Sequence, residues 1–139
     1  MLTQSYRFRF VVSLLIIVAA ALGCSKLKNL MGKSDRLYFC ERYDSAKGEI
    51  NEAEKFTTGT LTVMVKLTKP IGVKDVKINI TDKATGNVVD TKPFTVSADM
   101  DYIYFDGVNF EKAGKYKVSC LKEDGTVVVT GEVEITGGK

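Results

Sequence analysis

The segment 114-GKYKVSCLKEDGTVVVTGEVEIT-136 decides the fold of this chain. On both sides of Asp124-Gly125, apolar and polar residues alternate over 115–121 and 126–135. Alternation at every second position is typical of a β-strand with one buried face. An Asp-Gly pair between two such runs predicts a β-hairpin with a type I′ turn, which requires positive φ at both central residues.

The position of that turn determines which residues of the two strands lie opposite each other. The predicted pairs are Tyr116–Val133, Val118–Gly131 and Cys120–Val129 on one face, and Lys115–Glu134 and Lys117–Glu132 on the other. The first face carries no charge, whereas the second brings opposite charges together on the solvent side. Pattern, turn and charge therefore predict the same register.

Shorter segments between residues 37 and 114 show the same alternation. We predict strands at 61–67, 76–81, 87–91, 94–97 and 102–105, turns at Thr85-Gly86 and Asp106-Gly107, and a first strand that contains Cys40. Pro93 cannot donate a backbone hydrogen bond, which predicts an edge strand or a bulge there. Seven or eight short strands, with turn signals about every 8–12 residues, predict an all-β sandwich.

One motif resembles a known family. Residues 113–118, Ala-Gly-Lys-Tyr-Lys-Val, resemble the Gly-x-Tyr-x-Val entry to the penultimate strand of bacterial immunoglobulin-like and fibronectin-III-like domains. The resemblance implies a single immunoglobulin-like antiparallel β-sandwich over 37–136, in which Tyr116 caps the corner between the sheets. The chain departs from antibody domains because it has no tryptophan and because Cys40 lies on the first strand.

An export signal occupies the N-terminal end of the sequence. Arg7 and Arg9 precede an apolar run over 10–22, and small residues lead to Cys24, which is the order typical of a secretory signal peptide. Residues 21–24, Ala-Leu-Gly-Cys, resemble the lipobox of bacterial lipoproteins. This resemblance implies that a signal-peptide helix over 1–23 is removed, that the Cys24 thiol receives diacylglycerol, and that the new N-terminus is acylated.

Such acylation predicts a protein held on the bacterial cell envelope, since two or three acyl chains anchor stably where one does not. The lipid bilayer is then a partner of Cys24, and Ser25 is compatible with sorting to the outer membrane. Residues 24–36 form a polar, mostly basic tether in this interpretation. The alternatives are an ordinary secretory signal and an uncleaved transmembrane helix, which needs about 20 apolar residues.

Composition excludes several classes of site. The chain has 139 residues and no histidine, which excludes Ser-His-Asp triads, Cys-His pairs and histidine-ligated zinc or haem. The formal net charge is +3 and becomes +1 once Arg7 and Arg9 leave with the signal peptide, so we expect no nucleic-acid partner. We expect one domain without cofactor or metal.

Cys40 and Cys120 are predicted to form a disulfide. With Cys24 assigned to lipid, they are an even pair in an oxidising compartment. The bond would join the first strand to the penultimate one across about 80 residues, and the chain-entropy model gives about 4 kcal/mol of stabilisation for such a loop. The alternative is two buried thiols that never meet.

A binding surface is predicted around Tyr102 and Tyr104. If Ile103 and Phe105 point inward, the two tyrosines point outward on one face, where exposed tyrosines favour protein or glycan contacts. Three nearby carboxylates, which favour a basic or hydroxyl-rich partner, complete this surface: Asp99, Asp101 and Asp106. The alternatives are rings packed on neighbouring strands, solvated turn carboxylates, and a calcium site, which would need six to eight oxygens.

Acidic residues also occur in the segment 48–56. Glu49, Glu52 and Glu54 have spacings that no single helix or strand gathers on one side, so a solvated loop or a short helical turn is expected. A small periplasmic hydrolase or carbohydrate-active enzyme would need two such carboxylates in a concave pocket, with raised pKa values. The sequence favours a non-enzymatic binding or structural module instead, with no catalytic residues.

Overall fold

The computed structural model describes residues 34–138, in which all regular structure is β. The ten strands are β1 (Arg36–Cys40), β2 (Arg42–Asp44), β3 (Gly48–Ile50), β4 (Lys55–Thr57), β5 (Gly59–Lys66), β6 (Asp75–Asp82), β7 (Val88–Thr95), β8 (Tyr102–Phe110), β9 (Gly114–Lys122) and β10 (Val127–Thr136). The predicted signal peptide, its helix and the lipid site at Cys24 lie outside the described residues. Within 34–138, no helix is long and apolar enough to span a membrane.

Eight of these strands form a sandwich of two sheets. One sheet has the order β1-β5-β8, and the other has the order β4-β10-β9-β6-β7, while β2 and β3 form a separate hairpin. With β1, β5 and β8 as strands A, B and E, and β6, β9 and β10 as C, F and G, this is the partition of an immunoglobulin-like sandwich, and β7 is its strand C′. The predicted all-β sandwich is confirmed, although β4 runs parallel to β10.

The core lies between the sheets and follows the alternation of the sequence. Inward residues of the three-stranded sheet, such as Val63 and Phe105, are 0% and 1% exposed, and they pack with Ile78 and Val118 of the five-stranded sheet, which are both 0% exposed. In β5, β6 and β9, every second residue reaches this layer. The first strand begins at Arg36, one residue before the predicted boundary of the sandwich.

The C-terminal hairpin has the predicted register but not the predicted turn. All five predicted pairs from Lys115–Glu134 to Cys120–Val129 are present. A type I′ turn would need positive φ at Asp124, yet only Gly125, at 90°, has it in this turn. The loop has three residues, closed by hydrogen bonds from Gly125 N to Lys122 O and from Lys122 N to Thr126 O, and a bulge between Val127 and Val129 restores the register.

The segments around Asp106-Gly107 and Pro93 were both predicted as interruptions of a strand, and both lie inside strands. Asp106-Gly107 was predicted as a turn, but it lies inside β8 as a bulge opposite β5, with Gly107 at φ 72°. The predicted strands 87–91 and 94–97 are one strand, β7, which contains Pro93. Pro93 predicted an edge strand or a bulge, and the first alternative is confirmed, since β7 ends the order of its sheet.

Tyr116 occupies the corner between the sheets, as predicted. Its side chain is 7% exposed, and its hydroxyl donates to the Lys112 carbonyl oxygen at 2.7 Å. This bond from the start of the penultimate strand to the backbone a few residues upstream is the tyrosine corner of immunoglobulin-like sandwiches. The ring also packs on Phe110, with 5.4 Å between the ring centroids.

The predicted disulfide between Cys40 and Cys120 is wrong, because both cysteines are free and buried. In β1, Leu37 and Phe39 point into the inter-sheet core, so Cys40, one position on, points to the opposite face of its sheet. Cys120 lies in the inter-sheet core. The three-stranded sheet therefore separates the two thiols.

Both thiols should resist a water-soluble disulfide reagent in the native protein and react fully after denaturation. Each is 0% exposed, and burial raises the pKa of Cys120 to about 11, which keeps it protonated at neutral pH. Thiol titration with and without denaturant measures the difference, with the Cys40→Ser and Cys120→Ser variants assigning each group. If the denatured protein has no free thiols at these positions, the prediction of a Cys40–Cys120 disulfide would be correct after all.

Candidate binding surface

The outer face of the three-stranded sheet is covered in part by the β2–β3 hairpin. Thr62 and Met64, predicted on the solvent side of β5, are 3% and 0% exposed. Met64 packs with Tyr38 and Cys40 from β1, and the partly buried rings of Tyr43 and Tyr102 complete this group, which we call the second core. Successive residues of β5 point alternately into the inter-sheet core and toward the second core, so the strand is buried on both faces.

The hairpin itself forms because of its turn chemistry. The Asp44 carboxylate accepts hydrogen bonds from the backbone N–H groups of Ala46, at 2.8 Å, and Lys47, at 3.1 Å, as an aspartate does when it opens a turn. Gly48 follows at φ 81°, a left-handed conformation that favours glycine. The turn aligns Tyr43 with Glu49 across the two strands.

Glu49 joins the hairpin to the sheet below it. Its Oε1 accepts a hydrogen bond from the Tyr102 hydroxyl at 2.6 Å and another from the Tyr38 hydroxyl. The Lys66 ammonium lies 3.6 Å from the same oxygen, and the Glu49 side chain is 19% exposed. One carboxylate thus connects the hairpin to all three strands of the sheet, at β1, β5 and β8.

The electrostatics of this cluster favour an ionised Glu49. Hydrogen bonds from Tyr102 and then Tyr38 lower the pKa of Glu49 to about 2, with a smaller contribution from the Lys66 charge. Burial and the Glu49 carboxylate raise the pKa values of both tyrosines. The tyrosines therefore remain donors and Glu49 remains an acceptor across the physiological pH range.

Glu49→Gln should remove an acid-sensitive part of the stability. The folded-state pKa of Glu49 is about 2, below its ordinary 4.5, so its contribution is complete above pH 4.5 and is lost as the pH falls toward 2. The slope is at most about 1.4 kcal/mol per pH unit for one proton. Urea unfolding from pH 6 to pH 2.5 should show a weaker pH dependence in the variant, whereas the exposed control Glu54→Gln should match wild type. Equal slopes in all three proteins would contradict this role.

Tyr43, a partly buried ring of the second core, forms an aromatic pair with Tyr104, whose ring is exposed. Tyr43 and Tyr104 stack with 4.4 Å between the ring centroids and 18° between the planes, and Tyr104 remains 46% exposed. Tyr43 also meets Tyr102 edge-on, with 6.0 Å between the centroids. The exposed ring of Tyr104 therefore rests on a side chain that is already fixed, which suits a contact surface.

The predicted surface residues have different surroundings. Tyr102 and Tyr104 both point outward, as the alternation predicted. The Tyr102 hydroxyl, however, donates a hydrogen bond to Glu49, and of the two rings only Tyr104 is largely exposed. Asp106 is exposed and accepts the Thr62 hydroxyl at 2.7 Å. Asp99 and Asp101 are exposed in the connection before β8. Among residues 34–138, no group of three or more acidic or cysteine ligands is placed to hold a metal ion.

The acidic segment differs from its prediction as a solvated loop or helical turn. Glu49 lies in β3 and is mostly buried, while Glu52 is exposed and pairs with Arg36 at 3.2 Å. Glu52 and Glu54 do share an open groove of about 550 Å³. Glu49, the acid beside Tyr102, has a lowered pKa and two hydroxyl donors, whereas a general acid needs a raised pKa.

Tyr43 is the surface residue that the sequence reasoning missed. Its strand, β2, has three residues, too few to show alternation. The available signal was the turn, because Asp44 and Gly48 bracket a short loop between Tyr43 and Glu49. A hairpin was predictable from these residues, but not the surface that it covers.

Comparisons with known proteins show only distant structural similarity. No protein-family model and no curated protein sequence matches this chain. The PmoD soluble domain from Methylocystis sp. ATCC 49242 (Rockwell) aligns over 75% of this chain and 90% of its own, with 13% identity and a TM-score of 0.43.

Two further solved structures align over similar lengths. A DUF3244-family protein with an immunoglobulin-like β-sandwich fold from Bacteroides vulgatus ATCC 8482 covers 73% of this chain and 96% of its own, with 23% identity and a TM-score of 0.37. CopC from Methylosinus trichosporium OB3b covers 73% and 93%, with 19% identity and a TM-score of 0.38. These identities and TM-scores assign no family. The strand order and the tyrosine corner define the fold.

Proposed function

We propose that this chain is a bacterial envelope lipoprotein whose immunoglobulin-like domain binds a protein or glycan and catalyses no reaction. The observation that carries the binding proposal is the stacked pair of Tyr43 and Tyr104. Tyr104 is the exposed ring of this pair, and the partly buried ring of Tyr43 supports it. An exposed aromatic ring on a fixed support offers contact area at low entropic cost, which is the property of good binding surfaces.

The anchor is proposed from the sequence. Arg7, Arg9, the apolar run 10–22 and Cys24 follow the order of a lipoprotein signal. Residues 25–35 separate Cys24 from β1, and a chain of that length spans at most about 40 Å when fully extended. We therefore place the domain close to the membrane.

Cys24→Ala should abolish lipid attachment and leave the unprocessed precursor. The lipid has no equivalent thiol to use, because neither Cys40 nor Cys120 follows an apolar run that ends in a lipobox-like segment. Metabolic labelling with palmitate followed by gel analysis measures the effect, and Cys40→Ser serves as the control that keeps its label. Label that persists in the Cys24 variant would contradict the anchor.

Site-specific crosslinking in cells that make the protein tests the binding surface. A photoreactive phenylalanine derivative at position 104 should yield a defined crosslinked product in intact envelopes. The same group at Thr91, an exposed position on the far sheet, should not. Tyr43→Ala should weaken the product at position 104, because it removes the ring that supports Tyr104. Equal amounts of crosslinked product at positions 104 and 91 would contradict the proposal that the surface around Tyr104 binds a partner.

A further inference from the structure

The free edge of β8 is unusual among the sheet edges of this domain. In an immunoglobulin-like sandwich, strand D pairs with strand E, which is β8 here. This chain connects β7 to β8 through residues 96–101 and has no strand D among the described residues. One edge of β8, in the position of that strand, is left without a pairing partner within 34–138.

The direction of the ladder bonds shows which backbone groups are open. Leu67 N donates to Asp101 O at 2.7 Å, and Tyr102 lies opposite Lys66. Because pairing alternates along an antiparallel ladder, Ile103 and Phe105 turn their backbone groups toward β5. The N–H and C=O groups of Tyr102 and Tyr104 therefore point toward the open edge, and this regular alternation ends at the bulge of Asp106-Gly107.

The other edges carry protection that this part of β8 lacks. By the same alternation, β7 turns Pro93 toward solvent, where the missing N–H prevents pairing. On the other side of the sandwich, β4 has three residues, and β1 accepts a bridge from Ala53. On β8, the Lys92 ammonium caps only the Gly107 carbonyl, at 2.5 Å. The stretch from Tyr102 to Asp106 stays open.

The chemistry beside this stretch selects the partner. Asp106 is exposed at the end of this stretch, and Asp99 and Asp101 are exposed in the connection just before it. The Lys66 ammonium is paired with Glu49, whereas Lys92 donates to the neutral Gly107 carbonyl and keeps its charge. The three carboxylates outweigh that one ammonium charge. A second copy of this chain would bring the same carboxylates together at the edge, which is repulsive, so charge complementarity favours a basic strand.

We propose that the open edge of β8 binds an extended basic polypeptide segment by strand addition between Tyr102 and Asp106. The added strand supplies the missing strand D. Its outward side chains lie beside Tyr104 and Asp106, where lysine or arginine fits, and its inward side chains point to the same side as the apolar inter-sheet core. This proposal rests on the binding function above and names the class of partner, a protein segment in β conformation.

Binding of a synthetic peptide to the purified full-length protein tests the chemistry. The probe is a blocked seven-residue peptide of alternating lysine and valine, and the control replaces each lysine with glutamate. The lysine peptide should bind at least about tenfold tighter at low salt. Asp99→Asn combined with Asp101→Asn should reduce that preference. Equal binding of the two peptides would overturn the proposal.

N-methylated versions of the peptide test backbone pairing without changing the protein. In an antiparallel strand, the residues that bond to Tyr102 and Tyr104 share their outward face. Methylation of the lysine amides should therefore weaken binding by about tenfold or more, and methylation of the valine amides should not. Equal loss from both methylation patterns, or no loss from either, would overturn strand addition.

Two further outcomes separate this inference from the proposed function. A crosslink at position 104 in cells, together with no peptide binding, would overturn strand addition and leave the proposed binding function in place. Peptide binding without a crosslink in cells would support the edge chemistry and contradict the proposed surface.

Self-association that the peptide blocks would assign the edge to a second copy of the chain and overturn the basic partner.

Discussion

Replacing Tyr116 with alanine should lower the free energy of unfolding by about 3–5 kcal/mol, as large aromatic truncations in cores do. The ring is 7% exposed and packs on Phe110, and the hydroxyl bond to Lys112 O closes the corner before β9. The variant loses the packing and leaves that carbonyl without its partner. Urea unfolding monitored by circular dichroism measures the change.

Tyr116→Phe is the matched control because it keeps the ring and removes only the hydroxyl. It should cost about 1 kcal/mol, the usual net value of one hydrogen bond. A cost below about 1 kcal/mol for the alanine variant would show that the ring does not support the core. The difference between the two variants separates the packing of the ring from the hydrogen bond at the corner.

Gly131→Ala should destabilise the domain by about 1–3 kcal/mol through overpacking. A Cβ at Gly131 would overlap the Leu37 carbonyl oxygen and lie 2.9 Å from Leu37 Cδ2. Strand β1 passes directly over β10 at this point, so the backbone of one strand must move. Thermal unfolding should show the loss.

Gly137→Ala provides the control for Gly131→Ala, since a Cβ there meets nothing within 4 Å. It should leave the midpoint of unfolding close to that of wild type. Equal midpoints for Gly131→Ala and Gly137→Ala would mean that β1 does not approach β10 as closely as described. A larger residue at 131, such as valine, should increase the loss.

Much of the sandwich was predictable because its information is local. The alternation in 115–121 and 126–135 and the charged pairs across them predicted the register of the C-terminal hairpin, although the turn itself was assigned incorrectly. A three-residue loop and a bulge give the same downstream pairs as a two-residue turn. Register follows from which face is buried, so it survived the error in the turn.

The candidate site was predicted only in part. Tyr102 and Tyr104 face outward, as alternation requires, but nothing in the sequence distinguishes the ring whose hydroxyl binds Glu49 from the ring that stays exposed. Glu49 was expected in a solvated segment because its neighbours are polar. Its burial depends on a sheet face formed by β1, β5 and β8, which are distant in sequence.

The sequence by itself determined the β class and the C-terminal register, since each depends on neighbouring residues or on the period of a strand. The resemblance of residues 113–118 to immunoglobulin-like domains implied the corner role of Tyr116, and Pro93 predicted an edge strand or a bulge. Only the tertiary structure decided that Cys40 and Cys120 lie on opposite sides of a sheet, that a hairpin covers the second core, and that β8 keeps an open edge. These features depend on which strands become neighbours. Pairing between distant segments is set by the packing of the whole sandwich, which no local pattern contains.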